Sequence, residues 1–302
     1  MPVKSKLHVD QLLSNISVRY SNNEFIAHKA FPAVNVKKDS DLYRVYDRNF
    51  RIPETSRANG AKAREHYFEV SNSSYVLEKH ALVDFVSDSD VENYDVSDLR
   101  ADTTEELTDA IMRRKEKSFI DLFTKTSWSL THSLSSALSW NNLTLTANPI
   151  ADLDTAASVV LANSGQMPNY VILGRDSFVL AKNNSNVLDR VKYTSAEISE
   201  SMLASLFGVG ELLVSNAQLD SAAEGLTSSV AQMWPKHAFL GYKPPRASPK
   251  APSAGYIFEK AKAPVKRWRV EERESEAIEV RKEYAIKIVS SLSGYLVAGV
   301  AP

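Results

Sequence analysis

Residues 103–128 constrain the fold most, because they predict one long amphipathic helix in a chain that otherwise consists mostly of short strand-like runs and turns. No Gly or Pro interrupts this stretch. Thr103 is followed three residues later by Glu106, the spacing of a capping box at a helix start. The pattern also fits an ordinary surface helix, so the flanking segments must decide its role. Large apolar side chains recur at helical spacing and predict one buried stripe, namely Leu107, Ile111, Phe119, Leu122 and Phe123.

The composition indicates a globular chain and excludes several functional classes. Of the 302 residues, 43% are apolar and 24% are charged, which is ordinary for a domain with a substantial core. The 36 Lys and Arg residues nearly balance the 37 Asp and Glu residues, which argues against a basic surface that wraps nucleic acid. The absence of cysteine excludes disulfides and thiolate metal sites and fits folding in a reducing cytoplasm. We find no apolar run near the ~20 residues of a membrane helix and no export signal in residues 1–10.

An N-terminal arm and a long hairpin precede the helix, and both carry apolar residues without a core of their own. The strand-like runs 42–52 and 64–70 flank a polar tip with the turn signal Asn59-Gly60. Neither face of this hairpin is apolar enough for a core, and an isolated hairpin is marginal in water. Either the hairpin tip is mobile, or something outside the subunit covers it. In the second case, neighbours would bury the large apolar residues of the arm and hairpin, namely Phe25, Phe31, Tyr46, Phe50 and Phe68.

A second unit begins where the composition shifts, near Asn148-Pro149. Short apolar runs alternate with helical patterns over residues 149–250, which predicts a compact α/β domain of typical size. Gly208 follows a predicted helix over 197–207, at a position that commonly closes a helix. Segment 242–252 is rich in proline and predicts a connection, after which strand-like alternation returns.

A dense run of both charge signs, from residue 271 to 283, admits two interpretations. The run fits a solvated sheet edge. It also fits a charged seam between subunits, in which case Arg273 and Glu274 are contact residues. The sequence leaves both interpretations open.

A search for catalytic or cofactor chemistry finds no supporting pattern. The glycine motifs of phosphate-binding, dinucleotide-binding and hydrolase sites are absent, and the six histidines are dispersed. An acidic tract between Asp84 and Asp98 contains Asp88-Ser89-Asp90, but a calcium loop would need Gly where Asn93 stands. We therefore predict no catalytic residue, no metal site and no cofactor.

Short local signatures occur in collinear order over nearly the whole chain. They are His8-Val9-Asp10-Gln11-Leu12-Leu13, Phe25-Ile26-Ala27 before Phe31-Pro32, Arg57 with Gly60, Pro168-Asn169, and Leu206-Phe207-Gly208-Val209. Together with the order of arm, hairpin, long helix, α/β unit and returning strands, these signatures resemble the major capsid proteins of tailed bacteriophages, which have the α+β Hong Kong 97-type fold.

The resemblance implies a division of the chain and no catalytic residues. Some members of the family cross-link a hairpin Lys to a distant Asn. Lys62 is the only Lys in this hairpin tip, and no pattern identifies a partner for it. The implied parts are an N-terminal arm (1–39), an E-loop hairpin over a neighbouring subunit (40–82), a peripheral (P) domain with a spine helix at 103–128 (83–148), an axial (A) domain (149–250), and returning strands of the P domain (251–302).

The resemblance also implies a function and a set of partners. The chain would assemble with itself, as pentamers and hexamers, into an icosahedral head shell around double-stranded DNA that is held without sequence specificity. A separate scaffolding protein is expected, because the matching text begins within the first ten residues, where many members carry a fused scaffolding region. A portal protein, and as a further candidate a decoration protein, would complete the virion, which is assembled in the host bacterial cytoplasm with no membrane partner.

Two other functions stay open at this point. An encapsulin-like compartment would have the same fold and enclose an enzyme cargo instead of DNA. An uncharacterised soluble hydrolase would use the acidic tract with His80, and changes in that tract would then abolish an activity without affecting particle formation.

Overall fold

The computed structural model describes residues 8–9, 25–46, 55–57, 59–60, 62, 65, 70–93, 98–125, 128–135, 138–141, 147–192, 198–222, 226–247, 252–261 and 264–301. The strands in these ranges are β1 (His8–Val9), β2 (Ala33–Asn35), β3 (Ser40–Tyr46), β4 (Val70–Val76), β5 (Glu78–Ser87), β6 (Thr131–Ser133), β7 (Tyr170–Gly174), β8 (Glu211–Ser215), β9 (Gln218–Asp220), β10 (Val230–Gln232), β11 (His237–Gly241), β12 (Gly255–Glu259), β13 (Val265–Val270), β14 (Ser275–Ile288) and β15 (Gly294–Ala298). The α-helices are α1 (Ala27–Ala30), α2 (Asp88–Asn93), α3 (Leu99–Lys125), α4 (Pro149–Ser164), α5 (Arg175–Lys182), α6 (Ser185–Val191) and α7 (Glu200–Leu206).

The first sheet is built around the 14-residue strand β14. Strands β13 and β12 pair antiparallel along one edge of β14, and β5 pairs antiparallel along the other edge. Strand β1 extends the sheet beyond β13, and β2 adds a parallel strand beyond β12. Helix α3 packs on one face, where Ile111 joins a cluster with Val86, Ile278 and Val280. The predicted long helix therefore has a sheet as its main support.

The second sheet has the strand order β6-β15-β11-β7-β8. The parallel strands β7 and β8 lie at one side, and β11 joins them to β15. Every residue of β7 is buried, because side chains alternate between two covered faces. Val171 and Leu173 pack with helices α4 to α7, whereas Tyr170 and Ile172 join the cluster that includes α3.

The structure corrects the predicted division of the chain at two strands. Residues 294–298 were expected among the returning strands of the first unit, yet β15 pairs with β11 in the second sheet. Strand β6, from the segment that precedes the second unit, pairs with β15 there as well. Alternation of apolar and polar residues identifies a short segment as a strand. It does not show which sheet the strand joins, because the pairing partner lies far away in sequence.

Helix α3 begins four residues earlier than the capping-box pattern predicts. The Asp98 carboxylate accepts a hydrogen bond from the Arg100 backbone N–H at 3.1 Å, so Asp98 caps the helix. Thr103 lies inside the helix, where its hydroxyl donates to the Leu99 carbonyl at 2.8 Å. The Thr103–Glu106 capping box is therefore wrong, and so is the predicted end at Trp128, because the helix ends at Lys125.

An aromatic cluster connects the long helix with the second sheet. The Phe123 ring of α3 lies 4.8 Å from Phe239 of β11, and Trp128 lies 4.6 Å from the same Phe239 ring. All three side chains are buried. The two sheets thus share one core through α3 instead of forming separate domains with independent interiors.

Candidate interaction surfaces

Aromatic contacts hold the base of the hairpin on the body of the protein. Strands β3 and β4 pair antiparallel, as the sequence predicts for the part of the hairpin that the structure describes. The Tyr75 ring stacks on Phe258 of β12 with 4.6 Å between centroids, and the Tyr43 ring lies 5.3 Å from Phe258. Because these rings are buried, the base of the hairpin is anchored on the body of the subunit.

The opposite face of the hairpin base is apolar and uncovered. Leu42 is 67% exposed and Val76 is 62% exposed. The register places Leu42 opposite Ser74 and Val76 opposite Ser40, so the two apolar side chains are diagonal neighbours on one face. Such an exposed apolar pair is suited to contact another molecule.

Ion pairs connect the hairpin base to the first sheet. The Asp39 carboxylate contacts the ammonium groups of Lys260 and, at 3.1 Å, of Lys79. Lys260 also lies 2.5 Å from the Glu283 carboxylate. Hydrogen bonds from Lys260 and then Lys79 lower the pKa of Asp39. The network links the residue that precedes β3 to β5 and β14.

Most predicted contact residues of the hairpin fall outside the described part of the chain. Phe50, Phe68 and the side chain of Tyr46 belong to this group. Lys62 is described, and its side chain is 87% exposed with the ammonium nitrogen 2.8 Å from the Glu65 carboxylate. The role of these residues between subunits stays a prediction.

The structure corrects the prediction for Phe25 and Phe31. Both side chains are buried within their own subunit: Phe31 is 0% exposed and Phe25 is 8% exposed. The Phe31 ring meets Phe119 of α3 edge-on at 5.0 Å and also lies 6.1 Å from Phe123. The apolar stripe of α3 is wide enough to cover this part of the arm. The argument that the arm cannot bury its apolar residues alone is therefore wrong at these two positions.

Two charged side chains are buried at the centre of α3. Lys115 is 2% exposed and Glu116 is 1% exposed. The Lys115 ammonium lies 2.6 Å from Glu259 and donates to His28 Nε2 at 2.9 Å. The Glu116 carboxylate accepts hydrogen bonds from the backbone N–H groups of Ile26 at 3.1 Å and Ala27 at 3.0 Å. Both charges are thus compensated by partners from distant segments.

Burial shifts the pKa values in this cluster. Desolvation raises the pKa of Glu116 to about 7, although the two backbone donors oppose the shift. Desolvation, followed by the charge of Lys115, lowers the pKa of His28 to about 4. Desolvation also lowers the pKa of Lys282 to about 8, and the adjacent Lys115 adds to this effect.

Lys115 and Glu116 are not among the predicted site residues, although the sequence contains a signal for them. Ile111, Phe119 and Phe123 are buried in α3, and Lys115 lies one helical turn from both Ile111 and Phe119. A charged residue in such a row is on the core-facing side and needs a buried partner. The identity of that partner depends on the tertiary structure.

The free edge of β5 is a second uncovered surface. Among the described residues, β5 pairs only with β14. Leu82, Val83 and Phe85 are 42%, 44% and 39% exposed, respectively. The Arg273 guanidinium lies over the Phe85 ring at 4.5 Å. A long edge strand with exposed apolar side chains is prone to pair with another chain.

The predicted contact residues Arg273 and Glu274 lie at the tight turn between β13 and β14. Both are exposed, and Glu274 has a φ of 44°. The Glu274 carbonyl accepts a hydrogen bond from the Asp88 backbone N–H at 3.0 Å. An exposed turn fits either a solvated edge or a seam between subunits, so the choice stays a prediction.

The geometry gives no support to a hydrolase that uses His80 with the acidic tract. The His80 ring stacks on Tyr284 at 4.5 Å, and burial lowers its pKa. Asp84 lies four residues further along the same strand, which separates the two residues by ~13 Å at 3.3 Å per residue. His80 does not line the adjacent pocket of about 450 Å³, whose lining residues are Asp84, Phe85, Val86, Asp90, Asn93, Leu99 and Thr103.

Two further kinds of site were sought in the described part of the chain. No group of three or more His, Asp or Glu side chains in these residues could hold a metal ion. No described helix combines the length and the hydrophobicity that a bilayer crossing requires.

Similarity to known proteins extends over the whole chain. The major capsid protein of Burkholderia phage BcepMu is 24% identical over 317 aligned positions, which cover 98% of each chain. The major capsid protein of Pseudomonas phage JBD67 is 25% identical over 244 positions, which cover 78% of this chain and 77% of that protein. No protein-family model matches the sequence.

Solved structures give the same result for the fold. A phage-related protein from Bordetella bronchiseptica RB50 superposes with a TM-score of 0.79 and 24% identity, over 98% of this chain and 99% of that chain. The capsid structure of cyanophage P-SCSP1u superposes with a TM-score of 0.61 and 11% identity, over 89% of this chain and 85% of that chain.

Proposed function

We propose that this chain, a phage major capsid protein of the Hong Kong 97 type, forms the icosahedral head shell of a tailed phage. The shell would consist of pentamers and hexamers of this chain. The matches in sequence and structure confirm the α+β Hong Kong 97-type fold and the family resemblance that the sequence predicts. The role is structural rather than catalytic.

One observation carries this proposal. The match to the major capsid protein of Burkholderia phage BcepMu spans 98% of both chains, so it includes the arm, the hairpin, α3 and both sheets. A match to only one unit would be compatible with a shared domain in an unrelated protein. We therefore assign residues 40–82 to the E-loop, α3 to the spine helix of the P domain and the second sheet with α4 to α7 to the A domain.

The exposed surfaces supply a physical reason for self-assembly. Leu42 and Val76 on the hairpin, and Leu82, Val83 and Phe85 on β5, remain uncovered in the subunit. Full burial of one such side chain contributes about 1.5–3 kcal/mol. Each contact is modest, but a subunit held by several neighbours gains through multivalency, so weak joints can close a stable shell.

The remaining partners follow from the same proposal. The shell would grow in the host bacterial cytoplasm around a separate scaffolding protein, start from a portal protein, and enclose double-stranded DNA without reading its sequence. A net charge of -1 limits repulsion between packed copies. A decoration protein on the outer surface is a further candidate partner.

The decisive experiment is to express the full chain with and without its candidate scaffolding protein and to examine it by negative-stain microscopy and light scattering. Closed particles of uniform size are expected from the joint expression. A folded monomer at every concentration, with or without scaffold, would contradict the proposal. Nuclease-protected double-stranded DNA in particles from phage-producing cells would support a phage head, whereas an enzyme cargo without DNA would indicate a nanocompartment.

A further inference from the structure

Residues 25–31, called here the clamp segment, lie between the spine helix and the A domain. The segment consists of α1 and its flanking residues, and Phe25, Ile26 and Phe31 are buried in the core that α3 shares with the second sheet. Helix α1 has only four residues and no capping side chain of its own. Its position therefore depends on contacts with other parts of the fold.

The spine helix holds the clamp segment through buried charges. Glu116 accepts hydrogen bonds from two N–H groups at the start of α1, those of Ile26 and Ala27. Lys115 donates to His28 and is itself paired with Glu259 of β12. Glu116 thus performs for α1, from a distant helix, the function of a capping residue.

The A domain holds the same segment from the other side. The Lys243 ammonium donates to the Lys29 carbonyl of α1 at 2.5 Å and to the Glu211 carboxylate of β8 at 2.6 Å. Asn169 fixes the backbone of Lys243 through a reciprocal pair of hydrogen bonds, at 2.7 Å and 3.0 Å. One lysine therefore connects the end of α1 to the second sheet.

From these contacts we infer that the clamp segment is a releasable clamp, which locks the orientation of the A domain relative to the spine helix and opens as one unit. The inference deepens the proposed function, because a shell subunit must hold one orientation of its two units in each position.

The chemistry of the contacts supports a specific and cooperative clamp. A buried carboxylate or ammonium that loses its partner is strongly destabilised, so intermediate positions of the segment are disfavoured. Hydrogen bonds inside α1 join the two ends, from Ala30 N–H to the Ile26 carbonyl and from Phe31 N–H to the Ala27 carbonyl. Release of either end therefore removes the support of the other.

The test is hydrogen–deuterium exchange, resolved to the amides of residues 25–31, on the purified full-length chain and two variants. Glu116→Gln replaces one of the two acceptor oxygens on the spine-helix side by an NH2 group, which cannot accept a backbone N–H. Lys243→Met removes the tie on the A-domain side while retaining the aliphatic stem. Loss of one charged hydrogen bond is expected to raise the exchange of the whole segment about tenfold or more. Glu106→Gln and Lys37→Met, both at exposed positions, serve as matched controls and should leave the exchange unchanged.

The pattern of exchange separates a clamp from local fraying. A clamp predicts that Lys243→Met accelerates exchange at Ile26 and Ala27, which Lys243 does not touch, and that Glu116→Gln accelerates exchange at Phe31. Acceleration confined to the nearest amides, or none in Lys243→Met, would overturn the inference. Hydrogen exchange can be measured on the chain whether or not it has assembled. Failure to form particles would therefore contradict the proposed shell function, while the clamp would still be tested by the exchange rates. If both proposals hold, the variants should give particles of uneven size by light scattering.

Discussion

The side chains that most affect this subunit are charged residues placed where a core would ordinarily be apolar. Lys115 and Glu116 lie on the covered face of the spine helix and are buried, with the half-buried Glu259 and the backbone at the start of α1 as their partners. Replacing a buried ion pair by apolar residues is often neutral, whereas removing one member leaves an uncompensated charge. Lys115 and Glu116 therefore serve mainly to fix the position of the segments they bind, and add little to the free energy of unfolding.

Glu116 gives the subunit a pH dependence that can be measured. Its pKa is about 7 in the folded chain and 4.5 ordinarily, so the folded state holds the proton more tightly. The stabilising contribution is complete below pH 4.5 and is lost as the pH rises through about 7. By linkage this loss is about 3 kcal/mol. Urea titrations across this range should show that Glu116→Gln lacks the loss, while Glu106→Gln retains it.

His28 should give the opposite slope. Its pKa is lowered to about 4 by desolvation and Lys115, so its contribution is present above pH 6.5 and is lost as the pH falls through 4. In His28→Gln, the free energy of unfolding should decline less steeply with acid than in the unmodified chain. Parallel pH profiles for the two proteins would contradict the placement of His28 against Lys115.

Gly255 tests the packing of Phe31. A Cβ atom on Gly255 would lie 2.2 Å from Phe31 Cε2, well inside contact distance. Gly255→Ala should therefore displace the ring and lower the free energy of unfolding by about 1–3 kcal/mol, the usual cost of overpacking. Gly210→Ala is a suitable control, because the Cβ atom there meets only the Asn169 carbonyl oxygen at 3.4 Å. Equal stability of both variants in urea would contradict the arrangement.

Among the elements, the hairpin combines an anchored base with an uncovered face. Tyr43 and Tyr75 hold it on Phe258, while Leu42 and Val76 face away from the body. This division explains how the base of an element that is marginal alone can be held in place within the subunit. The anchored face serves the folding of the subunit, and the uncovered face is available for assembly.

The two faces of the hairpin should respond differently to substitution. The double variant Leu42→Ser/Val76→Ser should leave subunit stability within about 0.5 kcal/mol, as exposed positions usually do, yet reduce the yield of particles. Tyr75→Ala should lower subunit stability itself. Chemical denaturation and particle counts by electron microscopy measure the two effects, with Leu42→Ile/Val76→Ile as an apolar control. Normal assembly of the serine variant would exclude this face from the subunit contacts.

For the whole molecule, the subunit and the shell should differ most at uncovered edges. The outer edge of β5 has no strand partner in the described part of the chain. If a neighbouring copy covers it, the amides of residues 78–87 that face this edge should exchange quickly in the free subunit and slowly in the particle. Identical exchange in both states would show that β5 stays uncovered. Strand β7, buried on both faces, should be protected in both states and serves as the internal reference.

Local patterns were sufficient for several elements. The long helix and the helix stop at Gly208, which has a φ of 68°, were predicted from periodicity and turn residues. An antiparallel hairpin was predicted as well, but its predicted second strand over 64–70 coincides with the observed β4 only at Val70 in the described residues. The order of the parts resembles that of tailed-phage major capsid proteins, and this resemblance was sufficient to predict the fold. The start of α3 was misplaced because Thr103 and Asp98 both fit a helix start, and only Asp98 caps it in the structure.

Helical spacing, strand alternation and turn residues act over a few neighbouring positions, so they were enough to predict the parts of the fold and their order. Which distant segments meet depends on the three-dimensional packing. It brought β15 into the second sheet, buried Phe25 and Phe31 within their own subunit, and paired Glu116 with the start of α1. These outcomes depend on contacts between residues far apart in the chain, whose energies no local pattern contains.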